Sequence, residues 1–499
     1  MRCDVAVIGA GPAGLTAAGY VAQRGARVVV VDEYHRPGGR LLGQVYEDRR
    51  KPEGQRLWDG AAAAADLATQ VRSSGGTILT GRTVWDVDAG PTLRVAPGPE
   101  ADIAARAVVI ATGATERAIP IPGWTLPGVM TIGAAQVLTN VHSVAPGERV
   151  LVVGMDLLSL SITGEMIAAG VNVVGVVLPP IGPLSRERAM PSAVVAELAR
   201  ASSLAPNIAL RTGARLFGGR LRGIAATLAR IDVLRAWGVP LRLRTSVVEI
   251  IGTDHVEAVR LVGTGSDGRP RGRDRLVKVD AVCISGGLAP LSDVVRLAGC
   301  PVLEVPRLGG VVPVHGPALE TSVPGVFVAG NVIGIEAAAV AAAQGRLAAV
   351  GALRSLGALA GADADREIAD ARDAVAQARR RVAFRFLPDV EGGHAYVERV
   401  WAGERPAAIP SPAPRDEMRT DPIVCRCEEV ALHHVIAAFE DGATAVAGVK
   451  KRTRACMGRC QGRVCEDVLR QIAASRGHDD LLRHRPRSPL RPVRTADLR

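Results

Sequence analysis

Lysine is almost missing from this sequence: it occurs only at Lys51, Lys278, Lys450 and Lys451, so the formal charge of +11 rests on arginine. Aromatic residues make up 3% of the chain, and no basic run is interleaved with them. That excludes the groove of a single-strand nucleic-acid binder, where stacking rings alternate with cations. The charge is left to help dock an acidic protein partner. No stretch reaches the roughly 18 unbroken apolar residues of a membrane-spanning helix. The richest, Ala337 to Ala360, is interrupted by Gln344, Arg346 and Arg354. Nor does the N-terminus read as a secretory leader: Arg2 precedes an apolar run, but Gly9, Gly11 and Gly14 fall in it at spacings that a nucleotide turn explains. A soluble, cytoplasmic protein is expected.

Two chemistries are missing as well. Residues 1–360 contain no Cys-x-x-Cys, so disulfide reductase chemistry lacks its redox pair. None of the nine histidines stands with a nucleophile, and His433 and His434 fall on a helical stretch as solvated or packed residues. What remains is ordinary globular material, 48% hydrophobic and 22% charged over 499 residues, enough for two to four domains.

Residues 4 to 8 form a short buried strand, a glycine-rich turn follows, and a helical pattern runs from Leu15 to Gln23. A second apolar run, Val28 to Val31, closes on Asp32, which completes a strand-helix-strand unit of dinucleotide type. In Gly9-Ala10-Gly11-Pro12-Ala13-Gly14, Gly9 permits the turn, Gly11 lets a pyrophosphate reach backbone N–H groups, and Gly14 lets helix and strand pack closely. The helix N-terminus then faces the phosphates. Asp32 is expected to bind the adenosine ribose, with Glu33 beside it as the second choice.

A second unit begins at Arg149, with strand Val150 to Val153, helix Leu157 to Ala169 and strand Val171 to Leu178. Its turn, Gly154-Met155-Asp156-Leu157-Leu158-Ser159, keeps only the first glycine, and the following strand runs into Pro179 and Pro180 without a ribose-binding acid. Asp156 adds bulk and like charge where a pyrophosphate would sit, so NAD(P)H is not expected as hydride donor here.

Five of the eight cysteines crowd into the C-terminal part; Cys3, Cys283 and Cys300 stand apart, as expected of small buried hydrophobes. Clustering without a leader indicates metal ligation, not disulfides. Cys425-Arg426-Cys427, 32 intervening residues, Cys460 and then Cys465 supply four thiolates for a [2Fe-2S] cluster, two per iron. Zinc is the alternative, but its paired ligands usually stand two to four residues apart. Gly458 and Gly462 flank Cys460 where backbone must approach sulfur, and Arg426 and Arg459 add positive charge that favours the reduced cluster. Cys456 is a fifth cysteine, and Cys456 with Cys460 is a possible second pair.

Three resemblances join these parts. Ala111-Thr112-Gly113, Thr321 to Gly330-Asn331, and Pro37-Gly38-Gly39-Arg40 resemble motifs of the two-dinucleotide-domain flavoproteins. That likeness implies FAD in the first unit, Gly330 and Asn331 near the ribityl chain, and Gly39 and Arg40 beside the isoalloxazine; a surface role for Arg40 is equally open. The family usually has aspartate where this chain has Asn331. Ile423 to Val430 with Thr453 to Cys465 resembles the bacterioferritin-associated-ferredoxin-like [2Fe-2S] domain, which implies Cys425, Cys427, Cys460 and Cys465 as ligands and places Cys456 where glycine is common.

Taken with Gly123 to Met130 and Ser488 to Val493, residues 3 to 494 resemble the FAD/[2Fe-2S] A-subunit family of opine (octopine or nopaline) oxidases, which includes the corresponding subunits of hydrogen cyanide synthase and D-hydroxyproline dehydrogenase. The implied fold is α/β: two Rossmann-like domains, FAD- and NAD-type, of the glutathione-reductase-like fold, plus a small helical [2Fe-2S] domain. The expected limits are FAD domain 1–117 and 285–360 split around a degenerate NAD-type domain 118–284, a helical and Pro-rich linker 361–420, the [2Fe-2S] domain 421–475 and a basic tail 476–499. The implied partners are an amine-oxidising flavoprotein subunit of the amino-acid or sarcosine oxidase type, a further small subunit, and an acceptor in the respiratory chain or a dye. Two other functions stay open: a stand-alone NAD(P)H-dependent electron transferase and a non-catalytic redox scaffold or sensor.

Overall fold

Val5-Ala6-Val7-Ile8 is apolar on both faces, as a central parallel strand must be, and every one of its residues is buried. This is β1 (Val5–Ile8) in the computed structural model, which describes residues 1–47, 56–88, 90–99, 101–182, 185–200, 235–382, 385–407, 420–478 and 486–497. Helix α1 (Pro12–Gln23) follows, then β2 (Val28–Asp32), β3 (Thr77–Thr80) and β4 (Ala107–Ile110). The helix starts three residues before its apolar pattern because Pro12 sits at its first position, where a missing N–H costs nothing.

The chain then crosses to a second sheet. It contains β5 (Val129–Thr131), α2 (Ile132–His142), β6 (Val150–Val153), α3 (Leu157–Ala168), β7 (Val173–Leu178), β8 (Val239–Ile251), β9 (Ala258–Thr264), β10 (Pro270–Lys278) and β11 (Ala281–Ile284). The strand order is β5-β11-β6-β7-β8-β9-β10, with the last two pairings antiparallel. Ala114–Glu116 and Leu288–Pro290 pair antiparallel where the chain leaves and returns.

On return, β12 (Val326–Val328) adds to β4, so the first sheet reads β12-β4-β1-β2-β3, all parallel. Helix α4 (Ala338–Ser355) then lies against α1. Small residues make that crossing close: a Cβ on Gly345 would stand 2.0 Å from the Ala13 carbonyl oxygen. Helices α5 (Gly361–Arg381) and α6 (Val390–Trp401) precede the C-terminal module. Of the expected linker 361–420, residues 383–384 and 408–419 lie outside the described residues, as do residues 479–485 and 498–499 of the expected tail.

The module pairs β13 (Ile423–Cys425) with β14 (Val430–Ala431) and packs α7 (Leu432–Glu440), α8 (Val446–Thr453) and α9 (Glu466–Ser475) around its own core. It is docked on both sheets. The Trp124 indole donates to the Ile423 carbonyl at 2.7 Å, and Arg296 pairs with Glu466 at 2.9 Å with their side chains 7% and 12% exposed. Arg470 pairs with Glu304, and Arg117 stands 3.7 Å from Asp467. The tail folds back too: Leu490 is buried against the first domain and Arg491 donates to Glu33 at 3.3 Å.

Candidate functional site

The glycine turn is built as its spacing demands. Gly9 has φ +104, and a Cβ there would meet the Ala111 carbonyl oxygen at 2.4 Å; on Gly14 it would meet the Gly9 oxygen at 1.8 Å. On Gly11 it would meet nothing within 4 Å. Pro12 and Ala13 open α1, which has no side-chain cap and no acid in its first turn. Its leading N–H groups therefore point outward without an internal acceptor, as anion binding requires.

Asp32 does more than the sequence indicated. One carboxylate oxygen accepts the Ala10 N–H at 2.6 Å and the other the Tyr34 N–H at 2.8 Å, so this acid ties the glycine turn to the end of β2. Burial pushes its carboxyl above the usual range, against those two bonds. Glu33 is exposed and held by Arg491. Ala111 is buried at the end of β4, Thr112 donates to the Leu291 carbonyl at 2.8 Å, and Gly113 takes φ +74. A Cβ on Gly39 would lie 3.1 Å from the Gly11 Cα, which brings the Pro37–Arg40 turn onto the glycine loop. Arg40 is exposed and reaches the Ala114 carbonyl at 3.4 Å.

Gly330 (φ +77) packs over Ala13, at 2.8 Å from a would-be Cβ, and its N–H donates to Gln344. Asn331 accepts the Glu336 N–H at 3.1 Å, and α4 starts without a side-chain cap. No sequence signal flagged the cluster beside it. The Glu336 carboxylate accepts from Gln344, Arg379 and His394 within 3.0 Å. Burial raises Glu336, but the bonds from His394 and Arg379 outweigh it and hold it at about 2. Burial likewise pushes nearby His315 down to about 3.

Five thiols gather in the C-terminal module: Cys425, Cys456 and Cys465 buried, Cys427 and Cys460 half-buried. The Cys465 sulfur lies 3.5 Å from that of Cys456 and also faces Cys425, while Cys427 faces Cys460. Among the described residues no three such side chains meet at one ion position. Backbone N–H groups of Cys456 and Glu428 face the Cys425 sulfur, and that of Cys460 faces the Cys427 sulfur. Donors of this kind are what thiolates on iron require. Shared protons and burial raise the Cys425 thiol, and burial raises Cys427, so binding a metal must displace protons. Gly458 allows close approach, since a Cβ there would lie 2.4 Å from that of Cys427. Arg426 lies over the Trp124 ring at 5.6 Å.

In the second sheet, Asp156 turns its charge inward. It is the N-cap of α3: one oxygen accepts Ser159 N–H at 2.8 Å, and the other accepts from Arg188 at 2.5 Å and Ser285 at 2.7 Å. Gly154 keeps φ +107, as in a nucleotide turn.

Residues 3–345 match the pyridine nucleotide-disulphide oxidoreductase family, and residues 423–475 the BFD-like [2Fe-2S] binding domain. Over 520 residues the chain is 31% identical to the opine oxidase A-chain protein of Agrobacterium tumefaciens (strain Ach5), covering 99% of this chain and 91% of that one. The chain belongs to this family. It is also 30% identical over 524 residues to the HcnB component of hydrogen cyanide synthase from Pseudomonas aeruginosa, covering 99% and 97%. The crystal structure of L-proline dehydrogenase from P. horikoshii superimposes with a TM-score of 0.69 at 20% identity, over 100% of this chain and 80% of that one, which is a likeness of fold. As a member of the family the chain is a flavin-dependent oxidoreductase whose cofactors are FAD and a [2Fe-2S] cluster. Both donor sets fit: the open Gly11 turn at an uncapped helix suits a dinucleotide, and paired thiols with N–H donors suit two irons. No helix among the described residues is long and apolar enough to cross a membrane.

Proposed function

We propose that this chain is the electron-handling subunit of a heteromeric dehydrogenase or oxidase. A partner flavoprotein of the amino-acid or sarcosine oxidase type oxidises the C–N bond of an opine, glycine or D-hydroxyproline class substrate. FAD held here would supply two-electron chemistry, and a [2Fe-2S] cluster would supply one-electron transfer toward an acceptor other than NAD(P). The chain's residues bind and orient. Gly9, Gly11, Pro12, Ala13 and Gly14 hold the pyrophosphate, Asp32 and Glu33 the adenosine end, and Ala111, Thr112 and Gly113 wall the dinucleotide cleft. Gly39, Arg40, Gly330 and Asn331 serve the flavin end; Cys425, Cys427, Cys460 and Cys465 ligate iron. The FAD domain is assigned to 1–117 with 285–360, the NAD-type domain to 118–284 and the cluster domain to 421–475.

The observation that carries this reading is Asp156. Its carboxylate caps the helix whose N-terminus would otherwise receive a nucleotide pyrophosphate, and Arg188 and Ser285 fix it there. An anion arriving at that turn finds the Ser159 N–H already taken by the Asp156 carboxylate, which Arg188 balances. Electrons must then enter through a partner subunit. Anaerobic mixing tests this: NADH and NADPH should leave the flavin of the isolated chain oxidised, while an opine, glycine, sarcosine or D-hydroxyproline should bleach it in the heteromer. Rapid bleaching by NADH or NADPH would establish the electron transferase instead.

A further inference from the structure

Four thiolates complete a [2Fe-2S] cluster, and this module has five. Cys456 is not placed like the isolated cysteines of the chain. Its sulfur lies 3.5 Å from that of Cys465, and both residues are 1% exposed. Two thiolates bound about 2.3 Å from one tetrahedral metal stand about 3.7 Å apart. Cys456 is therefore one ligand spacing from the sulfur of Cys465. Its backbone has φ +66, a conformation that favours glycine, yet a side chain is carried there. Opposite it, Gly462 keeps space clear: a Cβ at that position would come within 3.3 Å of the Cys456 sulfur.

From this geometry we infer that Cys456 is a reserve ligand of the cluster, able to take the iron position of Cys465. In the exchange the bond from iron to the Cys465 sulfur breaks and one to the Cys456 sulfur forms. The Cys456 proton passes to Cys465, and no electron moves. Cys425, Cys427 and Cys460 have no such substitute, because the fifth thiol packs against Cys465. The inference rests on the ligand set proposed above, in which Cys465 is the standing ligand.

The test compares full-length Cys456→Ala, Cys465→Ala and the double variant by iron and acid-labile sulfide content and by EPR of the reduced protein, with flavin absorbance reporting the fold. Expected are iron retained in Cys456→Ala, iron retained with a shifted EPR signal in Cys465→Ala, and loss of iron in the double variant. Cys425→Ala, which has no substitute, should also lose its iron. If Cys465→Ala and the isosteric Cys465→Ser both lose the cluster, folded or not, while Cys456→Ala keeps it, the reserve role is overturned and the ligand set stands. If Cys456→Ala loses it, Cys456 is itself a standing ligand and the ligand set falls.

Discussion

Gly11 and Gly14 stand three residues apart in one turn, and a side chain has opposite consequences at each. At Gly14 a Cβ would lie 1.8 Å from the Gly9 oxygen and 3.1 Å from a Val7 methyl, so Gly14→Val cannot be placed without moving β1 from α1. At Gly11 there is no protein atom to strike. Gly11→Val should fold with a far-ultraviolet spectrum like the parent and purify without flavin absorbance, whereas Gly14→Val should lose several kcal/mol and express poorly. The glycine pattern is legible in sequence because every atom that makes it necessary lies within a few residues or in the adjacent strand. Glu165 was not legible. Burial pushes its carboxyl from 4.5 to about 7, against bonds from Gln136, Asn140 and Ser161. Raised above its unfolded value, it favours the folded state below about pH 4.5, and that contribution is lost as pH rises through about 7, with a full size on the order of 3 kcal/mol. Urea midpoints of the parent should fall across that window, and those of Glu165→Gln should stay flatter.

At the scale of the element, α3 explains why the second dinucleotide unit looks intact yet lacks its fingerprint. The sequence marks Asp156 as a charge in the wrong place for a nucleotide. Folded, it is the residue that starts the helix, with Ser159 returning a bond to its N–H at 3.0 Å. Removing it takes away a cap worth about 1 kcal/mol and leaves Arg188 and Ser285 without their shared acceptor. Asp156→Ala should therefore melt at a lower temperature than the parent by differential scanning calorimetry. It should also gain no NADH oxidation, since β7 still ends at Pro179 without a ribose acid. Helix and strand positions were readable from period and punctuation. The partners Arg188 and Ser285 were not, being 32 and 129 residues away.

For the whole molecule, the cluster module sits where the two sheets are joined. Arg117 follows directly on the crossing strand Ala114–Glu116, and Ala118 packs into the module's core. Trp124 is held by Ile423 on one side and Arg296 by Glu466 on the other, so the module contacts both sides of the crossing between the two dinucleotide units. Removing Glu466 takes away a buried charged hydrogen bond to Arg296, at a cost of about 2 kcal/mol. In Glu466→Ala the docked arrangement should loosen: hydrogen exchange should rise over Arg117 to Trp124, while iron content stays at the parent level. Unchanged exchange there would mean that the pair does not hold the module in place.

The sequence by itself determined the glycine turn, the two strand-helix-strand units and the thiol-rich module, hence a dinucleotide and an iron–sulfur cluster; that the dinucleotide is FAD came from the likeness to known flavoproteins. Each of these rests on spacing: three glycines in six residues, apolar runs of strand length, Cys-x-Cys. Tertiary structure alone decided which acid ties the turn, which thiols pair, and where the module docks. Arg491 meets Glu33 across 458 residues of chain and Arg296 meets Glu466 across 170. Nothing local distinguishes those arginines from the many others, because a long-range ion pair is chosen by the packed surfaces that bring its two ends together.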